Sequence, residues 1–304
     1  MTAESGPHGW LVIDKPPGLT SNRVVELVRR NAKTKVGHAG TLDPLATGVL
    51  PIAIGEATKT VMYAMGGQKR YRFRIRWGVA RATDDSEGAI IGESASRPTP
   101  EAIEAIIPRF VGAIRQRPPS YSAIKISGQR SYKLARAGAA PAPAARLVEI
   151  AELRLIAVPD GDHAECEALV GKGAYIRALA RDLGAALGTF AHIEELRRLS
   201  VGRFTENQAI ALDSIAEQGH ITGNCAYLLP LETALDGIPA QVLTGAQAVR
   251  LRNGQRVKSD DISNFADLGR LGEGAVVGAW HDRALVALAR VEGDCLRPIR
   301  VINR

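Results

Sequence analysis

Residues 70–77 read RYRFRIRW, and this stretch restricts the chain more than any other. Tyr71, Phe73, Ile75 and Trp77 fall on one side of an extended backbone, and Arg70, Arg72, Arg74 and Arg76 fall on the other. A period of two is the mark of a half-buried strand. The apolar side belongs to a core. The four arginines on the open side form either a solvated surface or one that faces RNA, and the repulsion between near-adjacent like charges favours the polyanion.

Other elements follow from local chemistry. Residues 1–8 read as a short disordered tail. Trp10–Asp14 (WLVID) reads as a strand and the KPPG after it as a turn. Ser21 is placed to cap a helix through about Arg30. Val49–Ile54 is an apolar strand with a helix from about Glu56. Thr99-Pro100 opens a helix to about Phe110, with proline at its first position. Strands are expected at Val148–Val158 and Ala164–Val170, and helices at 176–187 and 192–199. Residues 139–145 (AAPAPAA) form a Pro/Ala loop. Beyond about residue 235 the pattern becomes a short helix, Thr244–Arg252, and short strands near Ala275–Ala279 and Ala284–Val291.

The 304 residues suit a large domain plus a small one. The net charge of +7 is either ordinary solubility charge or attraction for a polyanion such as nucleic acid. Its distribution says more than its total. From Ala105 to Val148 there are eight lysines and arginines and no acid, where about five acids are expected. Tyr121 and Tyr132 lie among these cations. Lys125, Arg130 and Lys133 are the candidates for gripping a phosphate backbone, in preference to a merely basic loop. Cys166, Cys225 and Cys295 show no CxxC spacing, which points to reduced thiols and a cytoplasmic protein. No apolar run approaches the roughly 20 residues that span a bilayer.

The densest stretch is VGHAGTLDPLATGVLP, residues 36–51, where glycines, prolines and His38 crowd around one carboxylate, Asp43. Leu42, Leu45 and Val49 are placed to anchor such a loop. From the residues alone, an ordinary Asp-Pro turn is the simpler reading of Asp43, and His38 reads as a turn residue. No GxGxxG, no Walker loop and no clustered metal ligands occur, so neither cofactor nor metal is expected.

The segment GHAGTLDPLATGVLPIAIGEATK resembles the motif of the TruB family of tRNA pseudouridine synthases. The resemblance extends to Gly9–Ser21, Lys69-Arg70-Tyr71, Arg117–Lys125, Gly173–Arg177 and Leu196–Leu199, in the family's order. It implies an α+β fold: a pseudouridine synthase catalytic domain over 9–235, built on a mixed, largely antiparallel sheet with flanking helices. A basic RNA-gripping insertion would occupy about 112–146, and a small β-rich PUA-like module 236–304. It further implies isomerisation of uridine 55 in the T arm of tRNA, without guide RNA, by a monomer with no obligatory protein partner, whose C-terminal module touches the acceptor end. Asp43 matches the catalytic carboxylate and Tyr71 the tyrosine that stacks on the flipped base. Arg177 matches the arginine paired with that carboxylate, and Asp85 an aspartate that contacts the arginine. Tyr175 and Leu196 match residues that shape the base pocket. His38 matches a histidine that fills the gap left by extruded bases. Lys15 and Pro16 match supports of the loop. Where the family has a TDT-like run this chain has Arg81-Ala82-Thr83, and no role is carried to Arg81 or Ala82. The alternative is an RNA-binding or tRNA-folding protein whose catalysis is secondary. A base-releasing glycosylase fits less well, since it would want a paired carboxylic acid and a water site.

Overall fold

The computed structural model describes residues 6–303 apart from 127, 140, 218, 259–260 and 263–269. In chain order the first elements are β1 (Gly9–Lys15), α1 (Ser21–Ala32), β2 (Val36–His38) and β3 (Thr47–Ile54). Then come α2 (Val61–Gly66), β4 (Lys69–Trp77), β5 (Val79–Arg81), β6 (Ile90–Glu93), α3 (Pro100–Ile106) and β7 (Gly112–Gln116). The basic segment carries β8 (Lys125–Ile126), β9 (Gln129–Arg130) and α4 (Ser131–Arg136). Next are β10 (Arg146–Asp160), β11 (His163–Val170), α5 (Ile176–Ala186), β12 (Ala191–Val201), β13 (Phe204–Thr205), β14 (Ile210–Ala211) and α6 (Leu212–Glu217). The last are β15 (Ala240–Val242), α7 (Gly245–Arg252), β16 (Val257–Lys258), β17 (Val276–His281), β18 (Ala284–Glu292) and β19 (Cys295–Val301).

The main sheet runs β14-β1-β3-β12-β4-β11-β10-β7, with β2 added on β3 and β13 on β12. It is antiparallel except where β1 meets β14 and β3 meets β12. β4 lies near its middle with the predicted alternation: Phe73, Ile75 and Trp77 are buried, and Tyr71 is half-buried. Val24 and Val28 of α1, Ile103 and Ile106 of α3, and Ile176, Leu179 and Leu183 of α5 close over that face. Each large apolar side chain so buried contributes about 1.5–3 kcal/mol.

The arginine face of β4 differs from expectation. Arg70 bonds Glu152 at 3.0 Å and Glu167 at 2.9 Å, and Arg72 bonds Glu167 at 3.3 Å. Arg74 meets Glu165 at 2.8 Å and Glu195 at 2.9 Å, while Arg76 reaches Asp162 at 3.4 Å. The counter-charge comes from β10, β11 and β12 and the β10–β11 turn rather than from a polyanion. Cross-strand pairing of opposite charges removes the repulsion that the strand would carry alone.

Residues 192–199 form the core of β12 instead of a helix. The run HIEELRRLS favours a helix locally, but pairing with β4 on one side and β3 on the other overrides that preference. Register shifts between Ile193 and Glu195, and between Arg198 and Ser200, break the period of two and hide the strand from a reading of alternation. Thr20, not Ser21, caps α1, accepting from the Arg23 N–H at 3.2 Å. The Thr99 cap of α3 stands as expected, accepting from Ala102 N–H. After β3 the chain makes a 3-10 turn over Gly55–Thr60 before α2 begins at Val61. Of the expected tail, residues 1–5 lie outside the described residues. Pro7 is buried, and His8 Nδ1 accepts from the Glu56 N–H.

A second sheet, β15-β17-β18-β19-β16, has its own apolar core with α7. It also shares a cluster with the first: Leu285, Leu288 and Ile302 pack with Trp10, Ala57 and Phe204. Lys59 Nζ donates to the Val301 carbonyl at 2.7 Å across this junction. No helix among the described residues is long and apolar enough to cross a membrane.

Candidate active site

Asp43 sits in the loop between β2 and β3. The Asp-Pro turn exists, since the Ala46 N–H donates to the Asp43 carbonyl at 3.1 Å. The surrounding loop is tied down at nearly every residue. Ser21 Oγ donates to the Leu42 carbonyl at 3.0 Å and accepts from the Leu42 N–H at 2.8 Å. Lys15, fully buried, donates through Nζ to the carbonyls of Pro16, Leu19 and Pro44 at 2.8, 2.7 and 3.1 Å. Burial pulls the Lys15 ammonium down to about 8, while Asp43 and Glu87 push it back up. Arg198 donates to the carbonyls of Val49 and Gly40. Gly40 and Gly48 hold φ of 99° and 96°, and a side chain at Gly48 would collide with the Arg198 carbonyl.

With the backbone held this way, the Asp43 carboxylate meets Arg177. Arg177 Nε donates to Oδ2 at 2.9 Å and Nη2 to Oδ1 at 3.2 Å, a two-pronged pair. Arg177 lies in the first turn of α5, whose start is fixed because the Gln116 amide bonds both the Tyr175 carbonyl (3.1 Å) and N–H (2.8 Å). Its remaining donors reach the Thr83 carbonyl at 2.7 Å and the Tyr121 carbonyl at 3.0 Å. Asp85 Oδ2 stands 3.3 Å from Arg177 Nη1. Asp85 accepts from Thr83 Oγ1 and from the Glu87 N–H at 3.1 Å. Burial raises the Asp85 carboxyl above its ordinary range, opposed by the Thr83 bond and the Arg177 charge. The Asp43 side chain is 34% exposed, whereas those of Arg177 and Asp85 are each 4%. One carboxylate is therefore open to solvent while the other stays buried behind the guanidinium.

The structure thus brings Asp43, Asp85 and Arg177 into one cluster. Tyr71 is half-buried against the core on β4, in register with Arg198 of β12. Leu196 is buried opposite Phe73. The Tyr175 ring carries the Arg146 guanidinium 5.5 Å from its centroid. His38, on β2, has a buried Nδ1 without a hydrogen-bond partner among the described residues, and burial and then Arg198 lower its pKa. Lys125 and Arg130 face each other across the β8–β9 hairpin, Lys133 lies on α4, and all three are exposed. None of the eight cations in 105–148 forms an ion pair within 4.0 Å among the described residues.

Sequence reasoning passed over several of these interactions. Ser21 supports the loop rather than a helix end. Asp84 holds φ 58° and accepts from Arg181 Nη1 at 2.8 Å. Arg181 also donates to the Arg117 carbonyl at 2.7 Å, tying α5 to the start of the basic segment. Neither Gln116 in GAIRQ nor Arg198 in AHIEELRRLSV stands out from its polar neighbours, so no local signal marks either residue.

Residues 28–176 match the family model described as TruB family pseudouridylate synthase (N terminal domain), and 177–236 match the tRNA pseudouridylate synthase B C-terminal domain. The border between these models falls inside α5, and β12 from the second lies between β3 and β4 from the first. The chain is 50% identical over 297 residues to a tRNA pseudouridine synthase B of Rhodospirillum rubrum, covering 97% of this chain and 96% of that one. It is 55% identical over 307 residues to one of Bradyrhizobium diazoefficiens, covering 97% and 86%. Among solved structures, an H/ACA RNP bound to a substrate RNA containing 2′-deoxyuridine superposes with a TM-score of 0.74 at 22% identity, over 100% of this chain and 92% of that one. That likeness shows the pseudouridine synthase fold.

Proposed function

The chain belongs to the TruB family of pseudouridylate synthases, and on that premise we propose that it isomerises uridine 55 in the T arm of tRNA to pseudouridine, without a guide RNA. The observation that carries the site assignment is the open Asp43 carboxylate backed by buried Arg177, with Asp85 behind it. The reaction breaks the N1–C1′ bond, turns the uracil, and joins C5 to C1′. C5 loses a proton and N1 gains one, so nothing is oxidised or reduced. Asp43 serves as nucleophile or base in that exchange. Arg177 holds it in a fixed direction through two donors, and Asp85 fixes Arg177 from the other side.

The target uridine is stacked in a folded arm and has to be flipped out, at a cost of a few kcal/mol. Stacking on Tyr71, in a pocket shaped by Tyr175 and Leu196, offsets part of that cost, and His38 fills the vacated stack. Lys125, Arg130 and Lys133 hold the phosphate backbone. Residues 236–304 act as a PUA-like module toward the acceptor end, and the enzyme works as a cytoplasmic monomer. The deciding experiment is incubation with an unmodified tRNA transcript followed by mapping of pseudouridine. Modification in the T arm is expected, and its absence there overturns the reading.

A further inference from the structure

Asp43 is only as well placed as the loop that carries it, and that loop is spanned from below by a residue of another strand. Arg198 of β12 is 1% exposed and ranks among the largest fully buried side chains. Nε donates to the Val49 carbonyl at 2.8 Å and Nη2 to the Gly40 carbonyl at 2.9 Å, while Nη1 approaches the Thr41 carbonyl at 3.5 Å. Among the described residues it forms no ion pair within 4.0 Å. A buried charge without a counter-charge is costly, and a packed apolar side chain would serve stability better. The guanidinium does something that no apolar group can do. Gly40 and Thr41 precede Asp43, and Val49 follows it. One planar fork of donors in fixed geometry therefore sets the separation of the two arms of the loop. The peptide of Arg198 abuts Gly48 as well, so strand and side chain press on the same arm. Ser21 and Lys15 hold Leu42 and Pro44 nearer the tip, and neither links the two arms.

We propose that Arg198 is a positioning residue for pseudouridine formation, bridging both arms of the Asp43 loop and thereby setting where the carboxylate meets the uridine. It touches no substrate and acts through Gly40, Thr41 and Val49. This rests on the reading of the chain as a uridine isomerase.

R198K and R198M, each in the full chain, test it by steady-state kcat and KM on a tRNA transcript, beside thermal melting. Lysine keeps the charge but cannot span both arms, and methionine removes both charge and donors. A misplacement of about 1 Å costs on the order of 10²-fold in rate, so kcat should fall by about that factor in R198M and by about tenfold in R198K, with KM essentially unchanged. R198K should still melt cooperatively. Wild-type kcat in a folded R198K overturns the proposal, because charge alone would then suffice. A raised KM with kcat kept overturns it in favour of an RNA contact. Failure of both variants to fold overturns it in favour of a fold determinant. Wild-type protein assayed alongside separates the cases: if it makes no pseudouridine, the functional reading fails, and not merely the role of Arg198.

Discussion

In β4, Arg70, Arg72, Arg74 and Arg76 each meet a carboxylate within 3.4 Å, whereas between residues 105 and 148 eight lysines and arginines meet none within 4.0 Å among the described residues. The two stretches look alike in the sequence, and both invite an RNA-facing interpretation. Their surroundings separate them. Guanidiniums already bonded to Glu152, Glu165, Glu167, Glu195 and Asp162 would have to give up those bonds to bind a phosphate. The cations of the 105–148 segment have no carboxylate to give up, although Arg130 and Arg146 donate to the carbonyls of Ala123 and Gly173, so a phosphate would compete there with water and neutral acceptors rather than with a charge. Arg177 is the extreme of the committed kind: its donors are spent on Asp43, Thr83 and Tyr121, with Asp85 beside it. Pairing thus separates arginines committed to carboxylates within the protein from cations that meet none among the described residues.

The strongest way to break this comparison is at the committed end. Asp43→Asn is nearly isosteric, so tRNA binding and melting should persist while turnover falls to background; activity within about tenfold of wild type would place the catalyst elsewhere. Arg177→Lys should lower the single-turnover rate on the order of 10²-fold, since an ammonium cannot hold two planar carboxylates in one geometry. Combined with Asp85→Asn, the loss should be smaller than the product of the two single losses, because both changes disable one unit. Simple multiplication would show that Asp85 acts independently.

At the uncommitted end, replacing Lys125, Arg130 and Lys133 together with glutamine should weaken tRNA binding and leave kcat nearly unchanged. The log–log salt slope should drop by about 0.7–0.9 for each phosphate that is no longer neutralised. An unchanged slope would remove the basic segment from the RNA interface.

The smallest effect on activity is expected on the β4 face. Glu167 lies under three guanidiniums, from Arg70, Arg72 and Arg154. Burial pushes its carboxyl up, but those three bonds outweigh burial and hold it below its ordinary value. A carboxyl lowered in the folded state stabilises above its unfolded pKa, roughly 4.3, and that stability disappears as pH falls through the folded value. Glu167→Gln should therefore cost about 1–3 kcal/mol at neutral pH, and progressively less in melts taken below about pH 4. The tRNA salt slope should match wild type. A steeper slope would mean that the released arginines had found phosphates and that pairing alone had kept β4 off the RNA.

Much of the architecture is written locally along the chain. The alternation of residues 70–77, the Thr99-Pro100 helix start and the desert of acids from 105 to 148 each depend on neighbours a few positions away, and each has its structural counterpart. The loop around Asp43 was also legible as a set of specified turns, because its prolines fix φ and its glycines admit the positive φ that turns require. What remained hidden depends on partners far along the chain. The carboxylates that neutralise β4 lie 82 to 121 residues away from it. The strand at 191–201 has no local signature once register shifts break its period, and it exists because β3 and β4 both offer it an edge. Arg198 reads as one more cation in LRRL until the fold passes the Asp43 loop over it. Local sequence biases backbone conformation because dihedral preferences are properties of single residues and short runs, and at 191–201 sheet pairing overrode that bias. Only the assembled sheet decides which charges are neutralised and which remain free, because a charge is defined by whatever the tertiary structure sets beside it.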